Sequence, residues 1–442
     1  MDFLQDAITT VHQYRPLDER VRREFALALK RRRTVIVIPC LFEEFGRPAL
    51  ALIRDVLAGF PHLAGLVVAL AAADGEEVEA ARRFFADLPF PVQVLWTNGP
   101  AVRDLLEGVQ AAGLDVIGPP GKGWAVWQGL GVASLEAEVI GLFDADIRTF
   151  TPAYPVRMLA PLLDPSHGIA YVKAFYSRLS LEEGRLQGRA TRLFVAPLLE
   201  CLEQLMGSSP FLRYLQAFRY PLAGEFAFTS DLAVNLRIPC DWGLEIGLLS
   251  EVYRHVAIQR IAQVDLGLFD HKHKEVGGTA GEGLRRMCAE ILASLLRGLM
   301  EHESKALPME QVSALEVVFR RIAEDRVRQH HLDARINGLP YDRHREEDTV
   351  KEFSALLRPG CRAFMNHPGG FRMPSWSRTL AFDADLRREL RRAGSGVSHA
   401  GTRLVHPSGT PAGAPTTTGR RRRSAHEHGV AQAPGAKAGP PG

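Results

Sequence analysis

Residues 139–150 read VIGLFDADIRTF. From Val139 to Phe143 the run is apolar at every position, the pattern of a strand covered on both faces. It stops at Asp144-Ala-Asp146. Two carboxylates one residue apart, where a buried strand leaves the core, offer oxygen ligands to one hard cation. Mg²⁺ suits such a place, because it keeps several waters and takes one or two carboxylates together with substrate phosphates. The same spacing also serves turns and helix caps, so the neighbouring segments must decide.

Upstream, RRRTVIVIPCLFEE (31–44) predicts a second fully apolar strand that stops at Pro39. Helical RPALALIRDVLAGF (47–60), apolar LAGLVVALAAAD (63–74), helical GEEVEAARRFFADL (75–88) and apolar PVQVLWTNG (91–99) follow in turn. AVRDLLEGVQAAGL (101–114) and GKGWAVWQGLGVASL (121–135) read as helices before the strand at 139. Alternating apolar strands and helices predict an α/β fold, with a Rossmann-like, mostly parallel sheet and flanking helices. Ligands of such sheets bind beyond the carboxyl ends of the strands. After residue 150 the expected elements are a strand at IAYVKAFYSR (169–178) and a long helix at 189–207. PLAGEFAFTSDLAVNLRIP (221–239) reads as a turn and a helix, and a last strand runs from about 258 into a His/Lys-rich loop. Four parts result: N-terminal helices over 1–32, the sheet domain over 33–280, a helical C-terminal region over 281–392, and a disordered tail over 393–442.

Composition narrows the class. The 442 residues are 46% apolar and 24% charged, and no run of 18 apolar residues marks a membrane span. The start, MDFLQDAITTVHQYRPLDER, lacks the basic-then-apolar order of a signal peptide. Five scattered cysteines with no C-x-x-C point to reduced thiols in a cytoplasm. The net charge of +3 comes from the tail, where six of the 54 basic residues but only one of the 51 acidic residues lie beyond Gly394. A near-neutral body argues against a nucleic-acid partner, and Arg420–Arg423 read as a solvated charge run.

Four further motifs carry chemistry. In GPPGKGWAVW (118–127) glycines precede a helix and Lys122 adds a charge for an anion, although the spacing is not that of the phosphate loop. In DLGLFDHKHKEVG (265–277), His271 and His273 share one side of an extended segment, and either is a candidate metal ligand; a His in the set favours tolerance of Mn²⁺. In DWGLEIGLLSEVYR (241–254), Asp241 fits an N-cap and Glu245 is a cleft carboxylate. In GRLQGRATRLF (184–194), Arg185, Arg189 and Arg192 suit a phosphate or carboxylate.

Taken in order, VIVIPCLFEE, GKGWAVWQGL, FDADI, GRATRL, PLAGEFAF, WGLEIGLL and IAQVDLGLFDHKHK resemble the glucosyl-3-phosphoglycerate synthase family of retaining GT-A glycosyltransferases over about residues 33–275. AGEFAF and WGLEIGLLSEVY are the most specific parts. The resemblance implies transfer of glucose from a nucleotide-sugar, UDP- or GDP-glucose, to 3-phosphoglycerate with a Mg²⁺ or Mn²⁺ cofactor. The product is a precursor of glucosylglycerate, a compatible solute. Pro39, Leu41, Glu43, Asp74, Lys122 and Asp144 are implied at the nucleotide-sugar. Asp146 and His271 are implied on the metal, Glu245 near the donor sugar, and Asp144, Asp146 and Glu245 as the catalytic set. Gly188, Arg189, Thr191 and His273 are implied on the acceptor side. The family's Asn is Phe42 here, ALAAADGEE replaces a Ser-Gly-Ser-like loop, and His273 stands for an Asn. The acceptor therefore stays open between 3-phosphoglycerate, D-glycerate and another small acid, and the sugar between glucose and mannose from GDP-mannose. A nucleotidyltransferase would carry its glycine-rich signature after the first strand, where PCLFEEFG stands instead. No nucleophile for a double displacement is legible, so retention implies departure and attack on one face. The C-terminal helices either cover the site or build a homodimer interface.

Overall fold

The computed structural model describes residues 4–271 and 280–395. Its strands are β1 (Thr9–Val11), β2 (Thr34–Leu41), β3 (Gly65–Ala71), β4 (Val92–Trp96), β5 (Val139–Leu142), β6 (Tyr171–Ser180), β7 (Arg185–Leu186), β8 (Phe226–Thr229), β9 (Ile238–Pro239), β10 (Ile261–Phe269) and β11 (Arg372–Met373). Among the described residues nine of them form one sheet in the order β1-β10-β6-β8-β5-β2-β3-β4, with β7 beside β6. β2 runs parallel to β3 and β5, β3 to β4, and β10 to β6 and β1. Only β8 reverses direction along this path, pairing antiparallel with β5 and β6. This is the mostly parallel α/β sheet that the alternating pattern predicts.

The continuous apolar runs have a direct cause. Val35, Val37, Ile140 and Leu142 face one apolar layer, and Ile36, Ile38, Val68 and Val139 face the other. Both faces are therefore dry, and no polar alternation survives. The first layer takes in the helix Lys122–Ala133 and the C-terminal helices Ala280–Glu303, Val312–Ile336 and Arg343–Asn366. The second takes in Pro48–Ala58 and Ala153–Leu163. Trp127 stacks on Trp376 with ring centroids 4.3 Å apart. Their indole N–H groups donate to Pro374 O and Trp127 O, each at 2.8 Å. This pair, worth about 0.5–1.5 kcal/mol beyond its burial, fixes the C-terminal segment against the helix that starts at Lys122.

Four expectations need correction. β2 does not stop at Pro39 but runs to Leu41. Val37 O accepts from Phe143 N on the β5 side, and alternation turns Pro39 to that same side, where β5 has already ended. Its missing N–H thus costs no ladder bond. Residues 9–11 form edge strand β1 and not part of a helix; the only helix before residue 33 among the described residues is Glu19–Arg31. FAFT (226–229), read within a turn and helix, is the antiparallel strand β8. Four residues, the first three of them buried, give too short a run for periodicity to register. The N-cap of the helix Leu244–His255 is Gly243, whose N–H donates to the Asp241 carboxylate at 2.9 Å. The tail expected from residue 393 lies outside the described residues beyond 395, where the helix Leu386–Gly394 has ended.

Candidate active site

Asp144 follows β5 at the carboxyl end of the parallel strands, the end at which β2 and β3 also deliver Leu41 and Ala71. Lys122 is the first residue of the helix Lys122–Ala133, and Glu245 the second residue of Leu244–His255. These elements bring the three together: Lys122 Nζ lies 2.6 Å from Asp144 Oδ1 and 3.6 Å from Glu245 Oε1. The backbone of Gly224, just before β8, closes over this pair. A Cβ there would stand 2.5 Å from Asp144 Oδ2 and 2.9 Å from Lys122 Nζ, so any larger residue would push the two charged groups out of this arrangement. Burial alone would lower the Lys122 pKa, but Asp144 and Glu245 reverse this and hold the ammonium charged.

Asp146 is joined to the last residues of the β10 segment. Ile147 bridges His271 in antiparallel fashion, and Arg148 N donates to Asp270 O at 2.8 Å. This places His271 Nδ1 3.8 Å from Asp146 Oδ2. Burial, then the charge of Asp144, pushes the Asp146 carboxyl up to about 6. A carboxylate raised by burial and a like charge, beside an imidazole at that distance, is a donor pair one divalent cation can bridge with bonds of about 2.1 Å. Among the described residues no group of three or more His, Cys, Asp or Glu gathers as a complete metal cage. Two protein ligands with the remaining positions left to water and phosphate is the arrangement Mg²⁺ favours.

The other nucleotide-side candidates line the same edge. Pro39 and Leu41 end β2, with Leu41 exposed. Glu43 is half exposed and lies 3.7 Å from Arg47. Asp74, past the end of β3, accepts from Glu77 N at 2.9 Å in a capping box that starts the helix Gly75–Phe84.

The acceptor-side candidates lie just after β7, at Gly188 and on the first turn of the helical stretch that continues through Ala190–Val195 and Ala196–Met206. Gly188 has φ +75° and is pressed against Tyr220, so glycine is required on both conformational and steric grounds. Arg189 Nε lies 3.3 Å from Glu346 Oε1, and Arg192 Nη2 lies 3.1 Å from Glu346 Oε2. Thr191 is buried, and its hydroxyl has no hydrogen-bond partner among the described residues. His273 lies outside the described residues.

Sequence reading missed several residues around this cluster. Glu225 is fully buried and accepts from Tyr176 Oη at 3.0 Å. Burial, then Asp144, pushes its carboxyl up to about 8. Lys173 is fully buried and donates to Ala223 O at 2.7 Å; burial lowers it to about 8 despite Glu245 and Glu225. The signal was present in both cases, since a lysine inside AYVKAFY and a glutamate inside AGEFAF are charges that a buried strand tolerates only with partners. Glu346 carried no such signal, because it sits in the polar run RHREED of a distant helix.

No protein-family model matches the chain. Curated relatives do. It is 38% identical over 393 residues to the glucosyl-3-phosphoglycerate synthase of Methanococcoides burtonii, covering 89% of this chain and 97% of that protein. The glucosyl-3-phosphoglycerate synthase of Persephonella marina is 33% identical over 398 residues, 89% of this chain and 98% of that one. Among solved structures, glucosyl-3-phosphoglycerate synthase from Mycobacterium tuberculosis in complex with Mn²⁺, uridine-diphosphate-glucose and phosphoglyceric acid is 24% identical. It covers 66% of this chain and 87% of its own, with a TM-score of 0.49.

Proposed function

The chain belongs to the glucosyl-3-phosphoglycerate synthase family, and on that premise we propose that it transfers glucose from UDP-glucose to 3-phosphoglycerate with retention, using Mg²⁺ or Mn²⁺. The observation that carries this reading is the cluster of Lys122, Asp144 and Glu245 at the carboxyl ends of the parallel strands, with Asp146 and His271 on its flank. We assign residues 33–280 to catalysis and 281–392 to a helical region that supports it.

Asp146 and His271 would hold the divalent cation, which when bound would supply positive charge beside the departing diphosphate. Lys122, kept charged by two carboxylates, would serve the same leaving group. Asp144 and Glu245 fix Lys122 and face the donor sugar. Arg189, Thr191 and the backbone at Gly188 orient the acceptor so that its hydroxyl approaches the face the diphosphate leaves, with Pro39, Leu41, Glu43 and Asp74 along the nucleotide. His273 is assigned to the acceptor by the family resemblance alone. Among the described residues no helix is long and apolar enough to cross a membrane, and the five cysteines are all free and buried. A reducing cytoplasm and no nucleic-acid partner complete the proposal, with residues 281–392 either covering the site or building a homodimer interface.

The test is an end-point assay read by mass spectrometry. UDP-glucose, GDP-glucose and GDP-mannose are each offered with 3-phosphoglycerate or D-glycerate, with Mg²⁺, Mn²⁺ or EDTA. The expected product is a metal-dependent hexosyl-phosphoglycerate formed from UDP-glucose. Product with D-glycerate alone would move the acceptor assignment, and no product from any pair would remove the proposal.

A further inference from the structure

Arg178 touches both the end of β10 and the turn at Gly188, and no sequence motif singles it out. It lies on β6 with its Cα in register with Phe269 of β10, two residues before His271. Its guanidinium carbon is 5.9 Å from the Phe269 ring centroid, and that ring stacks on Tyr176 at 3.9 Å. Nη1 donates to Tyr220 Oη at 3.1 Å. On its other side is Gly188, where a Cβ would lie 3.5 Å from Arg178 Cδ and 2.6 Å from Tyr220 Oη. The Arg178 carbonyl also accepts from Gln187 N at 2.9 Å. One side chain thus reaches from the strand that ends at Phe269, two residues before His271, to the turn that bears Arg189.

Its charge is handled differently from those of its neighbours. Arg189 and Arg192 share the carboxylate of Glu346, whereas Arg178 is bonded to a neutral hydroxyl and forms no ion pair among the described residues. Its Nε is buried without a hydrogen-bond partner there, as are Arg192 Nη1 and Thr191 Oγ1 on the turn. Buried polar groups in native structures are nearly always paired, and a guanidinium held by one Nη in a planar fork keeps further N–H groups for an oxyanion.

We propose that Arg178 is a second anion contact for the acceptor, with Tyr220 as the residue that positions it. This rests on the reading of the Gly188–Arg192 turn as the acceptor side. The experiment titrates the full-length protein with 3-phosphoglycerate by calorimetry and measures KM for acceptor and for UDP-glucose separately. The variants are Arg178→Met, which keeps the stem over Phe269, together with Arg178→Lys, Tyr220→Phe and Arg189→Ala. In Arg178→Met the acceptor KM and Kd are expected to rise at least about tenfold while the donor KM stays within about twofold. Arg178→Lys and Tyr220→Phe are expected to show smaller rises in the acceptor values alone. Acceptor values unchanged in Arg178→Met, or donor and acceptor KM rising together, overturn the proposal; if that variant does not fold, the same two outcomes in Arg178→Lys do so. D-glycerate in a parallel arm separates the group contacted, since a phosphate contact leaves its KM unmoved by Arg178→Met and a carboxylate contact does not. An Arg189→Ala variant with normal acceptor affinity, beside a weakened Arg178→Met, removes the Arg189 assignment and keeps Arg178; the converse pair removes Arg178 alone.

Discussion

The strand-end cluster and the turn after β7 are built from different kinds of information. The cluster takes Asp144 and Asp146 from just past the end of β5, Lys122 from the helix before it, and His271 from just past the end of β10, bridged directly to Ile147. Each lies on a regular element or within a few residues of a strand whose position the sheet dictates. The turn gathers its partners side chain by side chain: Arg178 from β6, Tyr220 from the segment before β8, and Glu346 from a C-terminal helix. One region is placed by topology and the other by tertiary packing. Damage to the first should therefore appear in turnover, and damage to the second in acceptor affinity.

The largest expected effect belongs to Asp146→Ala. If Asp146 holds the metal as proposed, its loss removes several kcal/mol of charge stabilisation, so kcat is expected to fall at least about a thousandfold. Substantial turnover in that variant with added Mg²⁺ contradicts the assignment of Asp146.

Arg189→Ala is expected to raise the acceptor KM about 10- to 100-fold, the range for a lost charged hydrogen bond, with the donor KM little changed. An unchanged acceptor KM breaks the division between the two regions.

Glu346→Gln leaves Arg189 and Arg192 facing each other without a shared carboxylate. A rise of about two- to tenfold in the acceptor KM is expected, together with a lower Tm because a buried ion pair has lost one partner. An affinity change without any change in Tm would mean that Glu346 touches the acceptor itself.

The last prediction concerns stability against pH and not turnover or affinity. The Glu225 carboxyl is held up to about 8 against an ordinary 4.5, so the folded protein keeps a proton that the unfolded chain releases. Its contribution to stability is full below about 4.5 and is lost as pH rises through about 8. Glu225→Gln, which stays neutral, should flatten that fall in urea-denaturation midpoints between pH 5 and 8. Wild type and variant declining in parallel would refute the raised pKa.

These contrasts also explain what could be read in advance. Strands β2 to β6, β10 and the main helices were legible because continuous apolar runs and 3.6-residue periodicity are local signals. β8 was hidden by its four-residue length, and β1 by its three, since edge pairing to β10 is a long-range event. Pro39 misled because a proline within a strand normally breaks a ladder bond, and only the register of β5 shows that none was needed there. On the strand-end side, spacing and order named the residues that the structure brings together. Glu225 and Lys173 were visible as charges in apolar runs, but their partners were not. Glu346 was illegible, because 154 residues separate it from Arg192 and nothing in RHREED sets it apart from a solvated helix face.

The most direct test of this division is Mn²⁺ binding followed by electron paramagnetic resonance in the presence of UDP, with 3-phosphoglycerate affinity measured on the same samples. Wild type and Arg189→Ala are expected to deplete the free Mn²⁺ signal alike, and Asp146→Ala to leave it while keeping its affinity for 3-phosphoglycerate. Asp146→Ala taking up Mn²⁺ as tightly as wild type, or Arg189→Ala losing it, would contradict the account.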